Sequence, residues 1–172
     1  ADEPAERRDL PRAVGGDLEA GLFLIQSAVL PFLFSGRWMP DLWFCAIIIS
    51  VLAFNRKTAL AFAVAGGIAQ DIVTGNLFGL HLFPYLALAL LTAAFMRERY
   101  NRRWLVSVAS VAVGTAVYLL FVCAITALSG GRISFLRYLL YSGIPQILAN
   151  TAAAAVMHPV LWDMKQEWKP RW

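Results

Sequence analysis

Charged side chains are what this chain has least of: 15% of its 172 residues are Asp, Glu, Lys or Arg, where a soluble domain carries about a quarter. Hydrophobic residues make up 59%, and mean hydropathy is +0.62. The few charges fall in short clusters between long apolar runs. One soluble core could not absorb so many runs, so they are expected in lipid and against one another. Cysteine occurs twice, at Cys45 and Cys123. Neither belongs to a CxxC pair, which points away from thiol redox chemistry and thiolate metal sites and leaves two small hydrophobes between helices. Histidine also occurs twice, with His81 expected near the outer face and His158 near the inner one, too far apart to share a metal.

Other catalytic patterns are missing as well. No Gly-rich phosphate loop is present. Ser35-Gly36 and Ser142-Gly143 lack the glycine two positions before the serine that an intramembrane serine nucleophile would need. Asp71 reads as the one acid deep within an apolar run, with Asp41, Glu98 and Asp163 at the ends of theirs, so a facing pair of catalytic carboxylates is not expected. The reading is a protein that is not an enzyme, with no catalytic residue, no metal and no cofactor.

What is present is a series of six apolar runs: 20–36, 38–54, 58–74, 77–96, 104–128 and 138–162. The expected fold class is an all-α membrane protein with six transmembrane helices. A polar tail over 1–16, a transmembrane domain over 17–163 and a basic tail over 164–172 complete it. The first run has no basic segment directly before it and no small-residue cleavage site after it, so it is expected to be a retained helix. The first three runs hold only 17 residues each, the short end of what crosses a hydrocarbon layer. Pro84 and Pro145 predict kinks near the starts of the fourth and sixth helices.

Orientation follows from counting Lys and Arg on alternate sides. One side receives Arg7, Arg8, Arg12, Arg56, Lys57, Arg97, Arg99, Arg102, Arg103, Lys165, Lys169 and Arg171, and the other only Arg37, Arg132 and Arg137, twelve against three. The richer side is expected in the cytoplasm, with both termini there. The net charge of +4 is therefore a topology signal that brings contact with anionic lipid, and no nucleic-acid partner is implied. Trp38, Trp43, Trp104 and Trp162 fall near predicted helix ends, as an interfacial belt requires.

The most informative stretch is GGIAQDIVTGNLFGLHLFPY, Gly66 to Tyr85. Gly67, Asp71, Gly75 and Gly79 recur every four residues, and Ala59 and Ala63 extend the step backward. On a helix that step stacks Ala59, Ala63, Gly67 and Asp71 on one face, where small residues let neighbouring backbones approach closely in a bilayer. Gly75-Asn76 reads as a tight turn on the outer side, and Gly79, His81 and Pro84 begin the return helix. Asp71 is expected either to face the bundle with Asn76 or His81 as partner, or to cap the turn or the next helix. The two can hold together. A second polar line, Gly143, Gln146, Asn150, Ala154 and His158, follows the sixth run, with Ser107, Ser110, Gly114 and Tyr118 in similar register on the fifth and Gln26 a lone amide on the first. These amides read first as interhelical bonds, or as the lining of a cavity open to the outer face.

The stretch GGIAQDIVTGNLFGLH resembles the central segment of the MreD family of bacterial rod shape-determining membrane proteins. There a Gly-x-x-x-Asp is followed by a glycine and then by a further glycine that opens the next helix; Gly67, Asp71, Gly75 and Gly79 hold those places here. The resemblance implies a non-catalytic scaffold of the cell-elongation complex in the bacterial inner membrane, supporting side-wall peptidoglycan synthesis and rod shape. It implies MreC as partner through its transmembrane helix, and RodA, its penicillin-binding transpeptidase and MreB through the complex. It also implies a fold similar to the substrate-binding components of energy-coupling-factor transporters. The alternative is a vitamin-binding component of that kind, with Asp71, His81, Gln146 and Asn150 lining a pocket. Such components carry an Ala-x-x-x-Ala stripe on the first helix, and this first run has Ala20, Gly21 and Ala28 but no such pair.

Overall fold

A backbone in lipid has no water to satisfy its N–H and C=O groups, so apolar runs of this length must close their hydrogen bonds within helices. The computed structural model describes residues 12–34, 38–54, 56–75, 78–95, 104–131 and 134–167, and among them it is all-helical, with six helices in the order of the six runs. Helix α1 runs over Arg12–Leu24 and continues through a π turn, Ile25–Val29, into Leu30–Leu33. Helices α2 (Leu42–Ala53), α3 (Arg56–Thr74), α4 (Leu82–Phe95) and α5 (Trp104–Leu128) follow. Helix α6 opens over Phe135–Tyr138, passes a π turn, Leu139–Gly143, and ends over Ile144–Glu167. Within these, Trp104–Leu128 and Phe135–Asp163 are long and apolar enough to cross a membrane, and Ala20–Leu33, Leu42–Ala53 and Leu82–Phe95 are shorter apolar helices.

Several boundaries differ from expectation. Helix α1 starts at Arg12, inside the segment read as a polar tail, because hydropathy marks where lipid begins and not where helical hydrogen bonding begins. Helix α2 starts at Leu42 and not at 38. Pro40 lacks an N–H, and Asp41, extended at φ −92° and ψ 93°, caps the helix by accepting from the Phe44 N–H. Helix α4 starts at Leu82 because Gly79 holds a left-handed φ of +98° in the turn before it. Pro84 therefore sits in the first turn of α4, where a proline kinks nothing. Pro145 follows the π turn Leu139–Gly143 and Pro31 sits just past Ile25–Val29. Each proline withholds the N–H that an α-helix needs one turn back, and the wider turn absorbs the defect.

Helix α2 is the axis of the bundle and packs against each of the other five. Every residue from Trp43 to Ala53 is buried, which is why the run is apolar all round and has no stripe. Its 12 residues rise only about 18 Å. Helix α3, 19 residues long and starting where α2 ends, rises about 28 Å. The first residue of α2 thus stops about 10 Å short of the C-terminal end of α3, level with the last turns of its neighbour. Small residues admit the close approaches. A Cβ on Gly67 would meet Leu82 Cα at 2.6 Å, and one on Gly114 would meet the Phe44 ring at 3.1 Å. Trp43, expected at the interface, is buried instead, because Gly66 leaves room for its ring: a Cβ there would lie 2.7 Å from it. The outward surface is the reverse of a soluble protein's. Phe32, Ile72, Phe83, Phe95, Leu128 and Val156 are exposed, while among the described residues ten polar or charged ones, Asp41, Asp71 and Asn150 included, are buried.

Candidate functional site

The four-residue stripe does what its spacing predicts: Ala59, Ala63, Gly67 and Asp71 all lie on the buried face of α3. Asp71 occupies the last turn of that helix. Gly75, at φ +60°, donates its N–H to the Asp71 carbonyl at 3.2 Å and ends the helix in the left-handed conformation glycine tolerates. The chain then returns over the Asp71 side chain. Oδ2 accepts the Gly79 N–H at 2.7 Å and the Leu82 N–H at 3.4 Å, and Oδ1 accepts the His81 N–H at 2.8 Å. His81 Nδ1 lies 2.9 Å from the same Oδ1, the separation of a charge-assisted bond when Nδ1 carries the proton. Asp71 therefore caps the N-terminus of α4 from the end of α3 and also holds a histidine, so the two readings of this residue hold together. Its side-chain oxygens sit at the N-terminal, positive end of the α4 dipole.

A second buried aspartate joins more of the helices. Asp41, read from sequence as a residue at a helix end, is 7% exposed and is the hub of the interior. Its N–H donates to Asn150 Oδ1 at 2.7 Å, Oδ1 accepts from Gln26 Nε2 at 3.2 Å and from the Phe44 N–H at 3.1 Å, and Oδ2 accepts from the Tyr85 hydroxyl. Gln26 is the buried member of the first π turn. Besides Asp41 it bonds Gln70 Oε1 at 3.1 Å and accepts the Trp43 N–H at 3.1 Å. Asn150 donates to Thr115 Oγ1 at 3.2 Å, and its carbonyl accepts from the Cys45 thiol at 3.4 Å. Gln26, Asp41, Gln70, Tyr85, Thr115 and Asn150 come from α1 to α6 in turn, Asp41 as the N-cap of α2, so every helix contributes to a single network. Non-helical backbone at membrane depth is tolerated only where it is buried and paired; Asn150 supplies the partner that the Asp41 N–H needs.

Aromatic rings connect the two carboxylates. His81 stands edge-on to Tyr85 with centroids 6.1 Å apart, and 6.3 Å from Tyr118; Tyr85, Tyr118 and Phe44 pack at 5.6 to 5.9 Å from one another. Asp71, His81, Tyr85 and Asp41 thus form one contiguous buried sequence.

Of the residues singled out in sequence, Gly67, Asp71, Gly79 and His81 meet at the α3–α4 junction, with Gly75 exposed at the turn beside them. Asn76 lies outside the described residues. Asn150 belongs to the Asp41 network. Gln146, one turn earlier, is half-buried and makes no side-chain hydrogen bond among the described residues, so the two amides are not joined into one site. His158 faces Ser107 Oγ at 2.9 Å and stacks on Trp162, apart from the His81 pair. The residues missed were Asp41, Gln70, Tyr85 and Thr115. The clue to the first was Pro-Asp directly before an apolar run, a helix-start signature, combined with a run too short to put that start at the membrane surface.

The chain matches the protein family described as rod shape-determining protein MreD over residues 21–166, which is most of its length, and it belongs to that family. No curated protein and no solved structure matches it.

Proposed function

On the premise of that membership, we propose that this protein is a non-catalytic scaffold of the cell-elongation complex in the bacterial inner membrane. It spans the bilayer six times, with both termini cytoplasmic and the 17–163 domain flanked by polar tails, and it supports side-wall peptidoglycan synthesis and rod shape. It binds the transmembrane helix of MreC, and through the complex it joins MreB, RodA and the penicillin-binding transpeptidase. One observation carries the reading: each helix gives one polar side chain to the Asp41 network, and those groups bond one another, while the outward face is apolar. A body so tied suits a rigid platform on which another apolar helix packs through dispersion and close approach. The Gly67, Asp71, Gly75, Gly79 and His81 junction, with Asn76, Gln146 and Asn150, is the proposed motif for partner contact or for lining a cavity. The charge count along the loops supports the orientation.

The test is co-purification from membranes with MreC, followed by native mass spectrometry of the purified protein. The expected result is recovery of MreC with no small molecule retained, and weaker recovery with Asp71→Ala. A vitamin retained by the purified protein, with no MreC recovered, would replace this reading with that of a transporter's substrate-binding component.

A further inference from the structure

Helix α1 meets the bundle along one narrow line. Leu22, Gln26 and Leu30 are buried, Leu18 packs partly against the core, and Leu24, Ile25, Val29, Phe32 and Leu33 face outward. These contact residues follow at steps of four, which drift around an α-helix of about 3.6 residues per turn. The π turn Ile25–Val29 takes more residues per turn and reverses the drift, so Gln26 and Leu30 stay on the docking line. In lipid the leucines gain packing but no hydrophobic drive, because a bilayer is as apolar as the groove they fill. The directional hold on α1 is therefore the Gln26 amide. It donates to Asp41 Oδ1 at 3.2 Å and Gln70 Oε1 at 3.1 Å, and accepts the Trp43 N–H at 3.1 Å. The remaining bonds of Asp41, to Tyr85, Asn150 and the Phe44 N–H, join α2 to α4 and α6 and do not involve α1.

We propose that α1 is a latched arm: Gln26, presented by the π turn, fastens it to a five-helix body, and release of that amide lets α1 swing outward while α2 to α6 keep their packing. Interhelical side-chain bonds are individually modest in membranes, which suits a latch that opens.

The experiment uses the full chain in lipid nanodiscs with Cys123→Ala; Cys45 is wholly buried and stays. Spin labels on Phe32→Cys and Ser129→Cys report α1 against the outer end of α5, and labels on Val73→Cys and Ser129→Cys report the five-helix body. Gln26→Leu is expected to raise the long-distance population of the first pair roughly tenfold and leave the second pair unchanged. Gln70→Leu, which removes one of the three bonds, gives a smaller shift of the same kind and serves if Gln26→Leu does not fold. An unchanged first pair in either folded variant overturns the proposal, as does parallel broadening of both pairs, which would make α1 an inseparable part of the fold.

Discussion

The two buried carboxylates are held in opposite ways. Asp71 takes its side-chain partners from positions 8, 10 and 11 residues further along the chain, so one α3–α4 turn builds the whole arrangement. Asp41 reaches Gln26 across 15 positions, Tyr85 across 44 and Asn150 across 109, so it exists only when every helix has assembled. One carboxylate fixes a corner, and the other reports and maintains the assembly. The same residue type at similar burial does local work in one place and global work in the other, and the sequence separation of its partners decides which.

The largest expected effect comes from forcing the local corner apart. Gly67→Val puts a branched side chain where even a Cβ would lie 2.6 Å from the Leu82 Cα, and backbone cannot yield as a side chain does. Little monodisperse protein should survive size-exclusion chromatography. Normal recovery would mean that the approach of α3 to α4 does not depend on this glycine.

Asn150→Ala comes next. It leaves the buried Asp41 N–H without an acceptor, at a cost of about 1–3 kcal/mol, and should lower the midpoint of unfolding in detergent. A midpoint within error of wild type would show that water or another group takes over the bond. Tyr85→Phe removes one donor to Asp41 and keeps the ring packed between Phe44 and Tyr118, so a loss of only about 0.6 kcal/mol is expected, the average for interhelical bonds of this kind. A change of similar size is expected at the turn. Gly75→Ala meets no atom within 4 Å but must adopt φ +60°, a conformation that costs roughly 1 kcal/mol in a non-glycine residue. Near the exposed end of a helix this should move the midpoint slightly, and Gly75→Asn, which tolerates that conformation, less still.

How much of this was legible in the sequence follows the same division. The stripe from Ala59 to Asp71, the turn at Gly75 and the pairing of Asp71 with His81 all rest on short separations, where helical periodicity and turn chemistry fix geometry before tertiary structure forms. The six apolar runs appear as six helices, but their starts move by several residues at α1, α2 and α4 because caps and prolines, not hydropathy, end hydrogen-bond ladders. The Asp41 hub was not legible. Its position at the end of an apolar run reads as interfacial only if the helix spans the bilayer, and α2 is too short and too deeply buried to carry its first residue that far. Asn150 stood out as an intramembrane amide, yet Gln146, alike in type and one turn away, stays outside the network. Helix periodicity places two residues on a face but does not say where along that face a partner backbone N–H will sit.

The central claim is that Asp41 ties all six helices together while Asp71 holds one corner. Thermal unfolding of Asp41→Ala and Asp71→Ala in the same detergent tests it most directly. Asp41→Ala leaves the Tyr85 hydroxyl and the Phe44 N–H unpaired in the interior and takes from the Gln26 amide one of its three bonds, whereas the Gly79 and His81 N–H groups released by Asp71→Ala, though buried, lie beside a turn at the helix ends. The difference should be about 2 kcal/mol, which for a chain of this size places the Asp41→Ala midpoint roughly 4–8 °C below that of Asp71→Ala. Equal midpoints, or a lower one for Asp71→Ala, would contradict the account.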